Sequence, residues 1–119
     1  MDPLVFVVDD EPVIAHTLAA ILQKANFEAR AFVDPVEALS AARQQSPTLL
    51  LSDVVMPGMT GIELAIAICR ESPDCRVLLF SGQARSAELL RVAAASGHNF
   101  ELLLKPVHPK DLLARLASL

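Results

Sequence analysis

Four short stretches put groups capable of metal and phosphoryl chemistry just past apolar runs. Asp9-Asp10-Glu11 follows Leu4–Val8, and Asp53 follows Leu49–Leu51. Ser81-Gly82 follows Val77–Phe80, and Lys105-Pro106 follows Leu102–Leu104. Two or three carboxylates drawn together repel one another, and a cation is what keeps them all ionised. Hard oxygen donors suit Mg²⁺, which keeps several waters and takes one or two carboxylates together with phosphate oxygens. Asp53 is the candidate nucleophile, because a carboxylate can attack phosphorus to give an acyl phosphate. Phosphoryl transfer needs neutralised charge and in-line placement more than acid–base chemistry. Lys105 would add positive charge, and the Ser81 hydroxyl could donate to a phosphoryl oxygen. Taken singly, Asp9 and Asp10 read as well as helix caps, Ser81 as a turn residue and Lys105 as a surface charge. Their common position after strand-like runs favours one site.

The elements that must position these residues alternate along the chain. Leu4–Val8, Leu49–Ser52, Val77–Phe80 and Leu102–Leu104 are short apolar runs of the kind buried on both faces of a parallel sheet. Glu28–Phe32 alternates polar and apolar residues, as a less covered edge strand would. Helices fall between them. Pro12 opens the first, whose apolar stripe is Ile14, Leu18, Ile21, Leu22 and Ala25. Asp34-Pro35 caps and opens the second. Thr60-Gly61-Ile62-Glu63 is a capping box for a third helix running to about Glu71, before Ser72-Pro73. Ser86–Ser96 is a fourth, stopped at Gly97. Pro109 opens the last, with a stripe of Leu112, Leu113, Leu116 and Leu119. Five such βα units predict an α/β three-layer fold with right-handed crossovers. Ligands of such sheets sit at the carboxyl ends of the strands, where the acids and Lys105 fall. Between Asp53 and the third helix, Pro57, Gly58 and Gly61 suit a tight turn, with Met56 and Met59 as packing residues.

The 119 residues form one domain, 1–119, and a composition 53% apolar and 20% charged supports a sizeable core rather than disorder. A net charge of −4 gives no basic footprint, so direct nucleic-acid binding is not expected. No apolar stretch is long enough to span a membrane, and Met1-Asp2-Pro3 lacks the basic start of a signal peptide. A cytoplasmic protein is expected, with Cys69 and Cys75 as reduced structural thiols and no membrane partner. His16, His98 and His108 supply no ligand spacing near that pair, so metal binding through Cys or His is not expected. No Gly-rich phosphate loop follows the first strand, which argues against a nucleotide-binding enzyme.

With Asp9-Asp10-Glu11, Asp53-Val54-Val55-Met56-Pro57-Gly58-Met59-Thr60-Gly61, Ser81-Gly82 and Lys105-Pro106 in this order, the chain resembles the receiver domains of bacterial two-component response regulators. The resemblance spans the whole chain. It implies a flavodoxin-like (βα)5 three-layer sandwich, with a parallel five-stranded sheet of order 2-1-3-4-5. It implies that Asp53 accepts a phosphoryl group from a phosphohistidine on a sensor histidine kinase or histidine phosphotransfer protein. Asp10, Asp53 and the backbone carbonyl of Val55 would bind Mg²⁺ (or Mn²⁺) directly, and Asp9 mainly through water. Lys105 and Ser81 would contact the phosphoryl oxygens. The Lys105–Pro106 bond would be cis, and phosphorylation would draw Ser81 inward and reshape the face of the fourth helix, fifth strand and fifth helix.

Two departures stand out. The family usually carries Tyr or Phe three residues before the lysine, where this chain has Leu102; Phe100 lies five before, and the Gly97-to-Lys105 spacing is one residue longer than usual. That places the coupled serine–aromatic relay in question. Thr60 stands where Asp is common, a change that preserves the helix cap. Val55 and Gln83 would flank the water that hydrolyses the acyl phosphate, and an apolar Val55 predicts slow to moderate self-dephosphorylation.

The expected function is a phosphorylation-dependent signalling module that switches partner or oligomer contacts. It would catalyse its own phosphorylation and dephosphorylation without acting as an enzyme on a diffusible metabolite. The alternative is a receiver-like interaction domain that works without phosphate. The sequence names no downstream effector, and no output segment is read before Leu119, so a stand-alone receiver and a piece of a larger regulator both fit. Arg85, Glu88, Arg91, Lys110 and Arg115 put both signs of charge near the output face. A solvated helix surface fits them as well as a homodimer contact does.

Overall fold

A computed structural model describes residues 3–82, 85–98 and 100–118. Gln83, Leu119 and the Arg85 side chain, all named above, lie outside the described residues. Five strands, β1 (Leu4–Val8), β2 (Glu28–Phe32), β3 (Leu49–Asp53), β4 (Arg76–Ser81) and β5 (Glu101–Leu104), alternate with five helices. These are α1 (Pro12–Lys24), α2 (Pro35–Gln44), α3 (Gly61–Glu71), α4 (Arg85–Ala95) and α5 (Pro109–Ala117). All strand pairings are parallel, in the order β2-β1-β3-β4-β5. The flavodoxin-like topology is therefore the one expected.

Local chemistry starts and stops the helices as the sequence implies. Pro occupies the first turn of α1, α2 and α5, where its missing N–H has no partner to lose. The Asp34 side chain accepts from Val36 N at 2.9 Å. Thr60 Oγ1 accepts from Glu63 N at 3.1 Å while Glu63 Oε1 accepts from Thr60 N at 3.0 Å, a complete capping box. Gly97, at φ +91°, follows α4 in the left-handed conformation that favours glycine.

The pleat divides the core between two faces. Val5, Val7, Leu51, Leu78 and Phe80 meet Leu18 and Leu22 of α1 and Leu112 and Leu116 of α5. Phe6, Val8, Leu50 and Leu79 meet α2, α3 and α4 through Ala38, Leu64, Ile68 and Ala93. Met56 is buried and Met59 packs against this second cluster, so both serve as packing residues. Among the described residues no helix is long and apolar enough to cross a membrane.

Two expectations need correction. Asp53 and Ser81 are the last residues of β3 and β4 rather than loop residues beyond them. Sheet hydrogen bonding extends past the apolar runs, and Val54 N still donates to Phe80 O at 3.1 Å. The run Leu102–Leu104 is also not buried on both faces. Its leucines are half-buried to exposed, and Leu104 is 68% exposed. The reason is topological: β5 pairs only with β4 and forms the sheet's edge.

Candidate functional site

Parallel pairing delivers the carboxyl ends of β1, β3, β4 and β5 to one rim of the sheet. Asp9 N donates to Phe32 O at 3.1 Å and Lys105 N to Ser81 O at 3.1 Å, so the ladder itself fixes the residues just past β1 and β5. The structure thus brings Asp9, Asp10, Asp53, Ser81 and Lys105 to one place. A cavity of about 280 Å³ is lined by Asp10, Glu11, Asp53, Val55, Ser81, Gly82 and Lys105. A larger neighbouring cavity of about 510 Å³, lined by Val13, Ile14, Leu18 and Pro106 among others, has Lys105 as its one ionisable lining residue and is mostly apolar.

Asp9 is fully buried, at 0% exposure. Its Oδ1 accepts from Glu11 N at 2.9 Å and its Oδ2 from Lys105 Nζ at 3.2 Å. Lys105 Nζ also lies 3.5 Å from Asp53 Oδ2 and 5.3 Å from the centroid of the Phe80 ring. One ammonium therefore bridges two carboxylates from different strands, with an aromatic face beside it. Asp53 and Ser81 are buried, while Asp10 is exposed. The Lys105–Pro106 peptide is cis.

Burial pushes the Asp53 carboxyl up to about 6 from an ordinary 3.8, the Lys105 charge offsets part of that rise, and the charges of Asp9 and Asp10 add to it. Burial alone would lower the Lys105 ammonium, but the facing Asp53 and Asp9 charges outweigh it and hold Lys105 above its ordinary value. The site is thus short of positive charge. Asp9, Asp10 and Asp53 each offer a carboxylate oxygen, all within 4.8 Å of one another. A hard-oxygen donor set crowded in this way fits a divalent cation of the Mg²⁺ type. Both oxygens of Asp9 are already engaged by protein donors, which leaves Asp10 and Asp53 as the better direct ligands.

Two supporting residues escaped the sequence reading. Ser52 is fully buried and its hydroxyl donates to the Asp53 carbonyl at 2.9 Å. A polar residue within an otherwise apolar strand run was the available signal. Gly61 suits a turn by sequence, but its role is close approach. A Cβ there would lie 2.1 Å from the Asp53 carbonyl oxygen and 3.0 Å from Ser52 Oγ. The first residue of α3 is therefore pressed against the backbone of Asp53, and Gly61 N donates to Val54 O at 2.8 Å.

Residues 5–117 match the response regulator receiver domain family. The chain belongs to this family. It is 30% identical over 114 residues to the DNA-binding response regulator MtrA of Mycolicibacterium smegmatis, covering 96% of this chain and 49% of that protein. It is 32% identical to the transcriptional regulatory protein CreB of Escherichia coli, over 97% of this chain and 49% of that one. The chain thus spans about half the length of the curated relatives it matches. Among solved structures, the chemotaxis protein CheY4 of Vibrio cholerae superposes with a TM-score of 0.88 at 31% identity, over 99% of this chain and 98% of that one. This receiver domain is a module of two-component signal transduction.

Leu102, three residues before Lys105, lies on the covered side of the edge strand. Leu102 is half-buried and pairs with Leu79, and Phe100 packs beside it on the α3–α4 face. Phe100 in turn stacks on His98, with ring centroids 6.1 Å apart. Glu88 pairs with Arg91 on α4, and Arg115 of α5 pairs with Glu101 of β5 at 3.1 Å.

Proposed function

We propose that this receiver domain, residues 1–119, takes a phosphoryl group onto Asp53 from the phosphohistidine of a sensor histidine kinase or histidine phosphotransfer protein. It then switches contacts with a downstream effector or a second copy of itself. The observation that carries this reading is the Lys105 ammonium, 3.2 Å from Asp9 and 3.5 Å from Asp53, at a cavity that also presents Asp10 and Ser81. In the transfer, an Asp53 carboxylate oxygen attacks phosphorus as the phosphorus–nitrogen bond to the donor imidazole breaks. Lys105 follows the negative charge from the carboxylate to the phosphoryl oxygens, and the Ser81 hydroxyl donates to one of them. Asp10, Asp53 and the Val55 carbonyl would hold Mg²⁺ (or Mn²⁺), with Asp9 acting through water. The ion supplies charge neutralisation for the phosphoryl oxygens. The domain catalyses only its own phosphorylation and dephosphorylation and works in the cytoplasm. The apolar Val55 at the cavity leaves the hydrolytic water unoriented from that side, which supports slow to moderate loss of the phosphoryl group.

The test is incubation with a small phosphoryl donor and Mg²⁺, followed by intact mass. Wild type is expected to gain one phosphoryl mass, and Asp53→Ala none. Equal gain in both, or none in wild type, would overturn the assignment. A second reading, an interaction domain that works without phosphate, draws support from Leu102 in the place of the aromatic. It is favoured if partner binding is unchanged between wild type and Asp53→Ala under phosphorylating conditions.

A further inference from the structure

Cys69 and Cys75 lie far from the acidic cluster along the strands, at the end of the sheet where β4 begins. Cys69 sits in the last turns of α3, and Cys75 immediately precedes β4. The connection folds back on itself. Ser72 N donates to Ile68 O at 2.8 Å as α3 ends, and Cys75 N donates to Ser72 O at 3.0 Å across the turn. Arg76 N then donates to Thr48 O at 2.9 Å, which locks the start of β4 into the sheet. The turn is pinned at both ends, and it carries Cys75 back over α3.

The two cysteines meet there. Cys69 Sγ donates to the Cys75 carbonyl at 3.7 Å, and Cys75 Sγ donates to the Arg76 carbonyl at 3.6 Å, so the Cys69 sulfur lies against Cys75 itself. Cys69 is partly exposed and Cys75 is buried. A partly exposed attacking thiol packed against a buried partner is the arrangement of a redox pair, in which one sulfur meets the oxidant and the other resolves it. Holding Cys69 on α3 and Cys75 in a turn pinned to the sheet raises the effective concentration of one for the other.

We propose that Cys69 and Cys75 form a reversible dithiol–disulfide site that a hydroperoxide oxidises, with Cys69 attacked first and Cys75 resolving. In the first step the Cys69 sulfur attacks a peroxide oxygen. The S–O bond forms, the O–O bond breaks, and the departing hydroxide leaves as water with the Cys69 proton. In the second step the Cys75 sulfur attacks Cys69 Sγ. The S–S bond forms, the S–O bond breaks, and hydroxide leaves as a second water with the Cys75 proton. Two thiols lose two electrons, and one hydrogen peroxide becomes two waters. The order follows from access, since Cys69 is partly exposed and Cys75 is buried.

Hydrogen peroxide treatment of the folded protein, then removal of peroxide, denaturation and alkylation, tests this by intact mass. The expected product is a monomer about 2 Da lighter that takes up no alkylating agent and regains both sites after dithiothreitol. Cys75→Ala, checked for its fold by circular dichroism, should instead accumulate a sulfenic acid on Cys69 that dimedone traps. Wild type that keeps two alkylatable thiols, stops at a sulfinic acid, or crosslinks two chains would overturn the site.

Discussion

Strands β1 and β5 read almost alike, as the runs LVFVV and ELLL, yet they stand at different depths. Every residue of β1 is buried between two helical layers, whereas β5 lies on the edge and leaves Leu104 to solvent. The candidate site straddles both regions. Its acids rise from the central strands β1 and β3, and its lysine follows the edge strand. The acids are fixed from several directions: Asp9 by Glu11 N and Lys105, and Asp53 by Ser52, Gly61 and the ladder to β4. The half that would accept the phosphoryl group is over-determined, and the half that would report it is lightly covered. Such a division suits a switch, because segments that move are drawn from the less stable parts of a fold.

Trimming a leucine in each region separates the two most sharply. Leu50, in central β3, is 1% exposed. Leu50→Ala is expected to destabilise the domain by about 2–5 kcal/mol, the loss of transfer energy together with a residual cavity. Urea unfolding of the variant measures it. A cost below about 1 kcal/mol would mean that the central strands are no more firmly packed than the edge.

Gly61→Ala probes the fixing of Asp53 directly. The added methyl would fall 2.1 Å from the Asp53 carbonyl oxygen, so either α3 or the end of β3 must move. The expected cost is about 3 kcal/mol, in the range of overpacking. Phosphorylation by a small donor should fall as well, since the displaced backbone carries the acceptor. Stability lost with phosphorylation intact would show that α3 yields and Asp53 does not.

These two residues also show what the sequence could and could not reveal. Apolar runs, Pro-initiated helices and the Thr60–Glu63 capping box are local patterns, and local hydrogen bonding and sterics enforce them wherever the chain goes. The acids and Lys105 were legible because parallel strands must deliver their carboxyl ends to one rim. Leu104 was not legible from its own run, because exposure at an edge depends on strand order, which leaves no mark on three leucines and was implied only by the resemblance. The need for glycine at position 61 was hidden for a similar reason. Its backbone has no positive φ to suggest glycine, and the atom that excludes a side chain belongs to Asp53, eight positions away.

Charge offers a smaller effect of opposite sign. Asp53 titrates at about 6 in the folded protein against an ordinary 3.8, so the metal-free folded state holds the proton more tightly than the unfolded chain does. Stability is therefore highest below about pH 4 as far as this group is concerned, and falls as pH rises through about 6. Asp53→Asn removes that loss. It should stabilise the metal-free domain by about 2 kcal/mol at pH 7, and the advantage over wild type should vanish near pH 4. Urea unfolding of both proteins at the two pH values, with a chelator present, checks the sign. A variant less stable than wild type at pH 7 would mean that the Lys105 contact outweighs burial.

The smallest expected effect lies at the edge. Leu104→Ser should change stability by no more than about 0.5 kcal/mol, because the side chain is already in water and loses little packing. Yet this residue directly precedes Lys105 and pairs with Ser81, so it stands between the two groups proposed to hold the phosphoryl oxygens and the surface that would answer them. An apolar side chain kept in water beside a switch is explicable if a partner covers it in one state. If so, Leu104→Ser should leave phosphorylation by a small donor unchanged and weaken self-association or effector binding of the phosphorylated protein alone, as sedimentation with and without the donor would show. Unfolding that is markedly easier in Leu104→Ser would instead place this leucine in the packed core, and the contrast between β1 and β5 would fail at its clearest point.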